Sequence, residues 1–367
     1  MRVGRAKRIM VREEVTGIII FDPLNIRYLT GYKPASITGT SVAILTQDAE
    51  PRLIVPEVES NFAETNSWVK NVNSYQPQGT EGFKSTILGG IKDAIDELKL
   101  RSLDMGVELD YISARRFEEL KRLLPDAGFK NISGSMAELR MVKDDAEIEK
   151  IQASVQISEN GLRAALEFIQ PGISEIEVAA EVERTLRRAG ATHTGYPTVI
   201  ASGSRASYPF AAASRREIES NEFVIISVSA IYDDYCSTLT RTVLTGKPSD
   251  KHTNLFNCTR DAVVAAKRYL TSDTLVRDIA LTIRRIANEY GYLRHLIPQM
   301  GNSIGLHPIE NPLITVTEEI PFKPGMVFNL AAGFFVPELG GVRLSDMIVS
   351  NKDGSYKTLN EFPLQTV

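Results

Sequence analysis

A chain of 367 residues is long for one domain and comfortable for two. With 43% hydrophobic and 24% charged residues and a net charge of −4, it has the make-up of a soluble globular protein, and no basic surface suited to nucleic acid. Its two cysteines, Cys236 and Cys258, lack CxxC spacing, which excludes a cysteine-rich metal site and fits a reducing, cytoplasmic setting.

The N-terminal stretch MRVGRAKRIMVREE is basic but too short and mixed for a nucleic-acid arm, and the GIIIF run after it is too short for a signal-peptide core. No segment approaches the roughly 18 apolar residues that a membrane span needs. From residue 15 to 56, VTGIIIF, SVAILT and PRLIVP read as short strands between turn-forming residues. Helices are predicted around 83–98 and 112–124, and PDAGFKNISGSM reads as irregular. The spacing places a domain boundary near 135, giving domains 1–135 and 136–367.

Beyond the boundary, Asp144 and Glu147 form a capping-box pair ahead of an apolar stripe through Ile148, Ile151, Val155, Leu162, Leu166 and Ile169, which Pro171 and Gly172 end. Ser174 and Glu177 repeat the pair for a helix ending at Gly190, and Val276, Ile279, Ile283, Ile286 and Tyr290 mark another. Strands are predicted over 223–231, 236–244, 325–335 and 341–349. The first two make a hairpin around YDDY; a turn centred between Tyr232 and Asp233 would set Ser227 opposite Thr238.

An ordered set of segments carries a family likeness: FDPLNIRYLTGY (21–32), RMVKDDAEIEKIQASVQISENGL (140–162), PGISEIEVA (171–179), YPTVIASGSRASYPF (196–210), GNSIGLHPIENP, KPGMVFNLAAGFF and GGVRLSDM. Together they resemble the pita-bread family of prolidase, aminopeptidase P, methionine aminopeptidase and creatinase. The resemblance implies an α/β (α+β) chain, with a C-terminal pita-bread fold preceded by a smaller creatinase-like α/β domain. It also implies a homodimer.

Catalytic members of that family hold two divalent ions with two Asp, one His and two Glu. The resemblance puts those positions on Ser227, Thr238, Asn302, Ala331 and Ser345, and the accessory pocket histidine on Phe210. All six have lost the family's residue, while Gly301, Gly305, Gly325, Gly340, Gly341, Arg241, Thr242 and Arg343 remain. Two +2 ions about 3.5–4 Å apart repel by roughly 19 kcal/mol at an effective dielectric of 20. Four carboxylates offset that repulsion; five uncharged side chains, one of them an alanine, do not. The two metal ions are therefore expected to be absent, with no other cofactor in their place. Metal-free hydrolysis of the creatinase type is also disfavoured, because such members keep the His and Glu replaced here by Asn302 and Ala331.

Asp233 and Asp234 read as turn residues, Glu310 and Asp346 as structural acids, and Cys236 as a thiol without a partner base. His193, His252 and His295 show no ligand spacing. His307, with Glu310, is the weak candidate for acid–base work, being placed near the pocket mouth and able to titrate near neutral pH. The leading expectation is a catalytically inactive protein that binds a peptide, small ligand or partner protein in the former cleft. The alternative is a hydrolase of Xaa-Pro dipeptides or related amides, metal-free or with an unrecognised site. A structural homodimer with a vestigial pocket is the third reading.

Overall fold

The computed structural model describes residues 2–35, 39–77, 86–100, 103–271 and 274–364, and the chain divides into two compact units, Met1–Leu139 and Arg140–Val367. The division falls four residues beyond the expected 135.

In chain order the first part holds α1 (Arg2–Arg12), β1 (Gly17–Ile20), α2 (Pro23–Thr30), β2 (Val42–Thr46), β3 (Arg52–Pro56), α3 (Ser60–Asn66), β4 (Asn71–Tyr75), α4 (Ile87–Glu97), β5 (Met105–Val107), α5 (Ala114–Leu123), β6 (Phe129–Asn131) and α6 (Ser133–Met141). The six strands form one mixed sheet in the order β4-β3-β2-β1-β5-β6. β1, β2 and β3 pair antiparallel, whereas β5 lies parallel to β1 and to β6. Ile19, Ile44, Ile54 and Val107 from the strands meet Ile91 and Ile95 of α4 and Leu120 of α5 in the core.

One expectation fails in this unit. The stretch after Pro125, read as irregular, contains β6 and opens α6, because Phe129–Asn131 completes the sheet edge beside β5. The basic N-terminus is an amphipathic helix whose Ala6, Ile9 and Met10 are buried, with Arg8 and Arg12 exposed and Arg2, Arg5 and Lys7 half-buried. The start of the predicted 83–98 helix lies outside the described residues, and its described part begins at Ile87.

The second unit contains α7 (Asp145–Phe168), α8 (Glu175–Arg188), β7 (His193–Thr194), β8 (Val199–Ser202), β9 (Phe223–Val228), β10 (Ala230–Tyr232), β11 (Tyr235–Cys236), β12 (Leu239–Leu244), α9 (Asp250–Arg268), α10 (Val276–Glu289), β13 (Gly301–Ser303), β14 (Glu310–Leu313), β15 (Val327–Val336), β16 (Gly340–Ser350) and β17 (Tyr356–Thr358). Its strands form three sheets, β11-β10-β7, β12-β9-β8 and β14-β13-β15-β16-β17. Both capping boxes form. Asp144 accepts the Glu147 amide at 3.0 Å while the Glu147 carboxylate accepts the Asp144 amide at 2.8 Å, and Ser174 and Glu177 repeat the exchange. Among the described residues no helix is long and apolar enough to cross a membrane.

The hairpin register differs from the expected one. Tyr232 pairs with Tyr235, so the turn is Asp233–Asp234, and Ser227 faces Thr240 rather than Thr238. Both turn residues have positive φ, 42° and 77°, the requirement of a two-residue primed turn, which Asp tolerates. Asp233 also holds Lys150 at 2.6 Å. Moving the turn centre by one residue moved the partner of Ser227 by two.

α9 is a further element that the apolar pattern did not announce. Its buried face, Leu255, Phe256, Thr259, Ala262, Val263 and Ala266, has helical spacing but includes small and polar residues. With α10 it packs on the core built by Phe223, Ile225, Phe328, Leu330, Phe334 and Leu344.

Candidate functional site

β9 and β12 stand beside β16, and the join between their sheets runs through side chains. The Ser345 hydroxyl accepts the Thr240 amide at 2.9 Å; the Thr242 hydroxyl accepts the Arg343 amide at 2.9 Å and donates to the Arg343 carbonyl at 3.0 Å. These bonds satisfy buried main-chain groups that no ladder partner reaches. Glycines close the approach: a Cβ at Gly341 would collide with the Ala206 carbonyl, and one at Gly301, where φ is +126°, with the Asn329 carbonyl.

At this join opens a pocket with a volume of about 430 Å³. Its polar lining comes from Tyr196, Ser227, Thr238, Asn302, Asn329 and Arg343, with His307 and Gln299 on the wall. Pro197, Val199, Phe210, Ile297, Pro308 and Ile309 supply much of its apolar surface. No Asp or Glu is among the lining residues.

Ser227 shares hydrogen bonds with the Tyr196 hydroxyl at 2.8 Å and the Thr240 hydroxyl at 2.7 Å. Burial raises the Tyr196 hydroxyl above the usual phenol range, so this is a chain of neutral hydroxyls. Thr238 Oγ1 is buried without a well-formed hydrogen bond; the Tyr196 hydroxyl lies close enough to influence it but bonds Ser227. The Asn302 amide donates to the carbonyls of Ser303 at 2.7 Å and Pro308 at 2.9 Å, so its NH2 group is already committed.

The structure therefore brings Ser227, Thr238, Asn302 and Phe210 to one pocket. Phe210 lies at its rim, 69% exposed. Ala331 and Ser345 face each other across the β15–β16 ladder but do not line the pocket, and the Ser345 hydroxyl is taken by Thr240. Two divalent ions do not fit this donor set. It contains no carboxylate or imidazole at the five positions, one of them has no donor atom, and another has its amide NH2 bound to main-chain carbonyls. Among the described residues no group of three His, Cys, Asp or Glu side chains is arranged to hold a metal.

His307 and Glu310 separate. His307 is exposed on the pocket wall, its Nδ1 against the main chain of Ile309. Glu310 is buried, 3.2 Å from Lys143 Nζ and 3.4 Å from Arg140 Nε, and does not line the pocket. Lys143 also donates to Ser303 at 3.1 Å, and burial lowers its pKa. Glu310 is thus a counter-ion, which the sequence could not show because Lys143 lies 167 residues away.

The other candidates resolve as structural groups. Asp346 bridges Arg241 at 3.0 Å and Lys267 at 2.5 Å. Cys236 is buried with its thiol directed at the Leu306 carbonyl, and burial raises its pKa far above the reactive range. His193 lies beside Arg187, His252 against the Phe223 ring, and His295 beside Arg294 and the Phe335 carbonyl; none lines the pocket.

Arg343, which the sequence offered only as a scaffold position, also lines the pocket. Its guanidinium lies over Phe210, 5.4 Å from the ring centroid, and its buried Nε makes no hydrogen bond. No ion pair involves it among the described residues. Burial pushes its pKa down, against a raising influence from Tyr196 alone.

Residues 149–352 match metallopeptidase family M24, and residues 2–142 match the creatinase/prolidase N-terminal domain. The chain is 30% identical to an Xaa-Pro dipeptidase of Pyrococcus furiosus, over 97% of both chains. Among solved structures it is similar to the prolidase of Pyrococcus horikoshii, with a TM-score of 0.90, 26% identity and coverage of 100% of this chain and 99% of that one. It is likewise similar to an Xaa-Pro dipeptidase of Bacillus anthracis, with a TM-score of 0.91, 26% identity and coverage of 100% and 98%.

Proposed function

We propose, from the premise that this chain belongs to metallopeptidase family M24, that it uses the family's cleft to bind a small ligand and does not hydrolyse it through metal ions. The observation that carries this reading is the donor set. Ser227, Thr238, Asn302, Ala331 and Ser345 occupy the positions where the family resemblance calls for charged ligands and an imidazole. A cavity of about 430 Å³, walled by apolar side chains with a few converging polar groups, is of a size and character that takes a small molecule.

The full chain, incubated with glycyl-L-proline and manganese, cobalt or zinc, is expected to release no proline above the buffer rate. Release that a chelator abolishes would overturn the reading.

The relatives support a second reading, hydrolysis of Xaa-Pro dipeptides or related amides. Without metal it would depend on His307, because Glu310 is bound to Lys143 and no carboxylate lines the pocket. Metal-independent turnover lost in His307→Ala would favour this second reading.

A further inference from the structure

Arg343 is a cation inside a pocket that offers it no anion. Its neighbours on the lining are hydroxyls, amides, one imidazole and apolar surface. Two more groups on that lining carry a buried oxygen without a well-formed hydrogen bond. Asn329 is 2% exposed, its Oδ1 is buried without a hydrogen bond, and its side chain makes none to any described residue. Thr238, 4% exposed, has a buried hydroxyl without a well-formed bond. The half-buried Arg343, whose buried Nε makes no hydrogen bond, and the Thr238 hydroxyl are donors that a ligand's acceptors would satisfy, whereas Asn329 Oδ1 is an acceptor and takes no part in holding an anion. The guanidinium fork matches a carboxylate in shape and charge.

We propose that the pocket takes a small monocarboxylate that carries no ammonium group, its carboxylate seated on Arg343 and its body against Val199, Phe210, Ile297 and Ile309. One guanidinium neutralises one negative charge, which favours a monoanion over a phosphate dianion. A free dipeptide also brings an ammonium, and no Asp or Glu lines the pocket to receive it. An N-blocked amino acid presents the same carboxylate without that charge. The proposal rests on the non-hydrolytic binding reading of the same pocket.

The test is calorimetric titration of the full chain with N-acetyl-L-proline, glycyl-L-proline and inorganic phosphate, with proline release followed in the same samples. N-acetyl-L-proline is expected to bind at least tenfold more tightly than the other two. Arg343→Gln is expected to weaken it at least tenfold while the variant still shows a cooperative melt. Arg343→Lys, which keeps the charge but loses the fork, is expected to fall between the two and serves should the glutamine variant fail to fold. The proposal is overturned by no saturable binding of N-acetyl-L-proline, by equal binding in Arg343→Lys and the unaltered chain, or by glycyl-L-proline or phosphate binding as tightly. Proline release from glycyl-L-proline would sink the non-hydrolytic reading instead, and the Arg343 dependence of N-acetyl-L-proline binding would still be read separately.

Discussion

Asp346→Asn is expected to lower the free energy of unfolding by about 3–5 kcal/mol, the range for removing one partner of a buried charge pair. Arg241 is fully buried. Its guanidinium donates to the carbonyls of Pro363 at 2.7 Å, Thr240 at 2.9 Å and Phe362 at 2.6 Å, and also to that of Ser345. Those carbonyls satisfy hydrogen bonds but bring no charge; Asp346 is its ion-pair partner, at 3.0 Å, with a smaller contribution from Glu159, and also holds Lys267. Asparagine keeps the shape and its oxygen can still accept from Asn360 and Arg241, while its NH2 replaces the oxygen that accepts from Lys267, so the change removes the charge and that one bond. Replacing the pair together, as Arg241→Met with Asp346→Leu, is expected to cost less than Asp346→Asn alone, because the fully buried Arg241 charge goes with its partner and only the half-buried Lys267 is left without its acid. Chemical denaturation followed by circular dichroism reads both. A loss under 1 kcal/mol in Asp346→Asn would mean that the acid is not holding the scaffold and would reopen it as a functional group.

The second large effect lies in the first unit and depends on pH. Glu108, at the end of β5, is 1% exposed. It accepts the amides of Phe21 at 2.8 Å and Asp22 at 2.9 Å and the side-chain amide of Asn25. Burial outweighs these bonds and pushes its carboxyl up to about 7, from an ordinary 4.5. The folded state therefore holds the proton more tightly than the unfolded chain. The stabilisation is complete below about pH 4.5 and is lost as the pH rises to about 7, a difference of about 3 kcal/mol. Trp68 is the only tryptophan and lies in this unit, its Nε1 donating to the Leu29 carbonyl at 2.9 Å. Its fluorescence in a urea titration is expected to show a lower midpoint at pH 8 than at pH 5, and Glu108→Gln is expected to flatten that dependence. An unchanged pH slope in the variant would assign the effect to other groups.

What the sequence made legible is what local chemistry decides. Asp144 with Glu147, and Ser174 with Glu177, announce helix starts because both halves of each box lie within four residues. Strands β9, β12, β15 and β16 are apolar runs that only a buried sheet explains, and the site residues ride on or beside them. The hairpin register was less legible: Asp-Asp is a weaker turn signal than Asn-Gly, so YDDY left the centre open by one residue. α9 was missed because its buried face includes Thr259 and alanines in place of a leucine stripe. Glu310 and Asp346 read as structural acids, but their partners Lys143, Arg241 and Lys267 reach them only through the fold.

In the binding reading proposed here the cleft holds no metal ions, and Arg343 is a cation on a lining without carboxylates. The most direct test is metal bound per chain, by elemental analysis after incubation with manganese, cobalt or zinc and exhaustive removal of free ion. The account predicts essentially none. About two ions per chain would contradict it and return the protein to dipeptidase chemistry through ligands other than Ser227, Thr238, Asn302, Ala331 and Ser345.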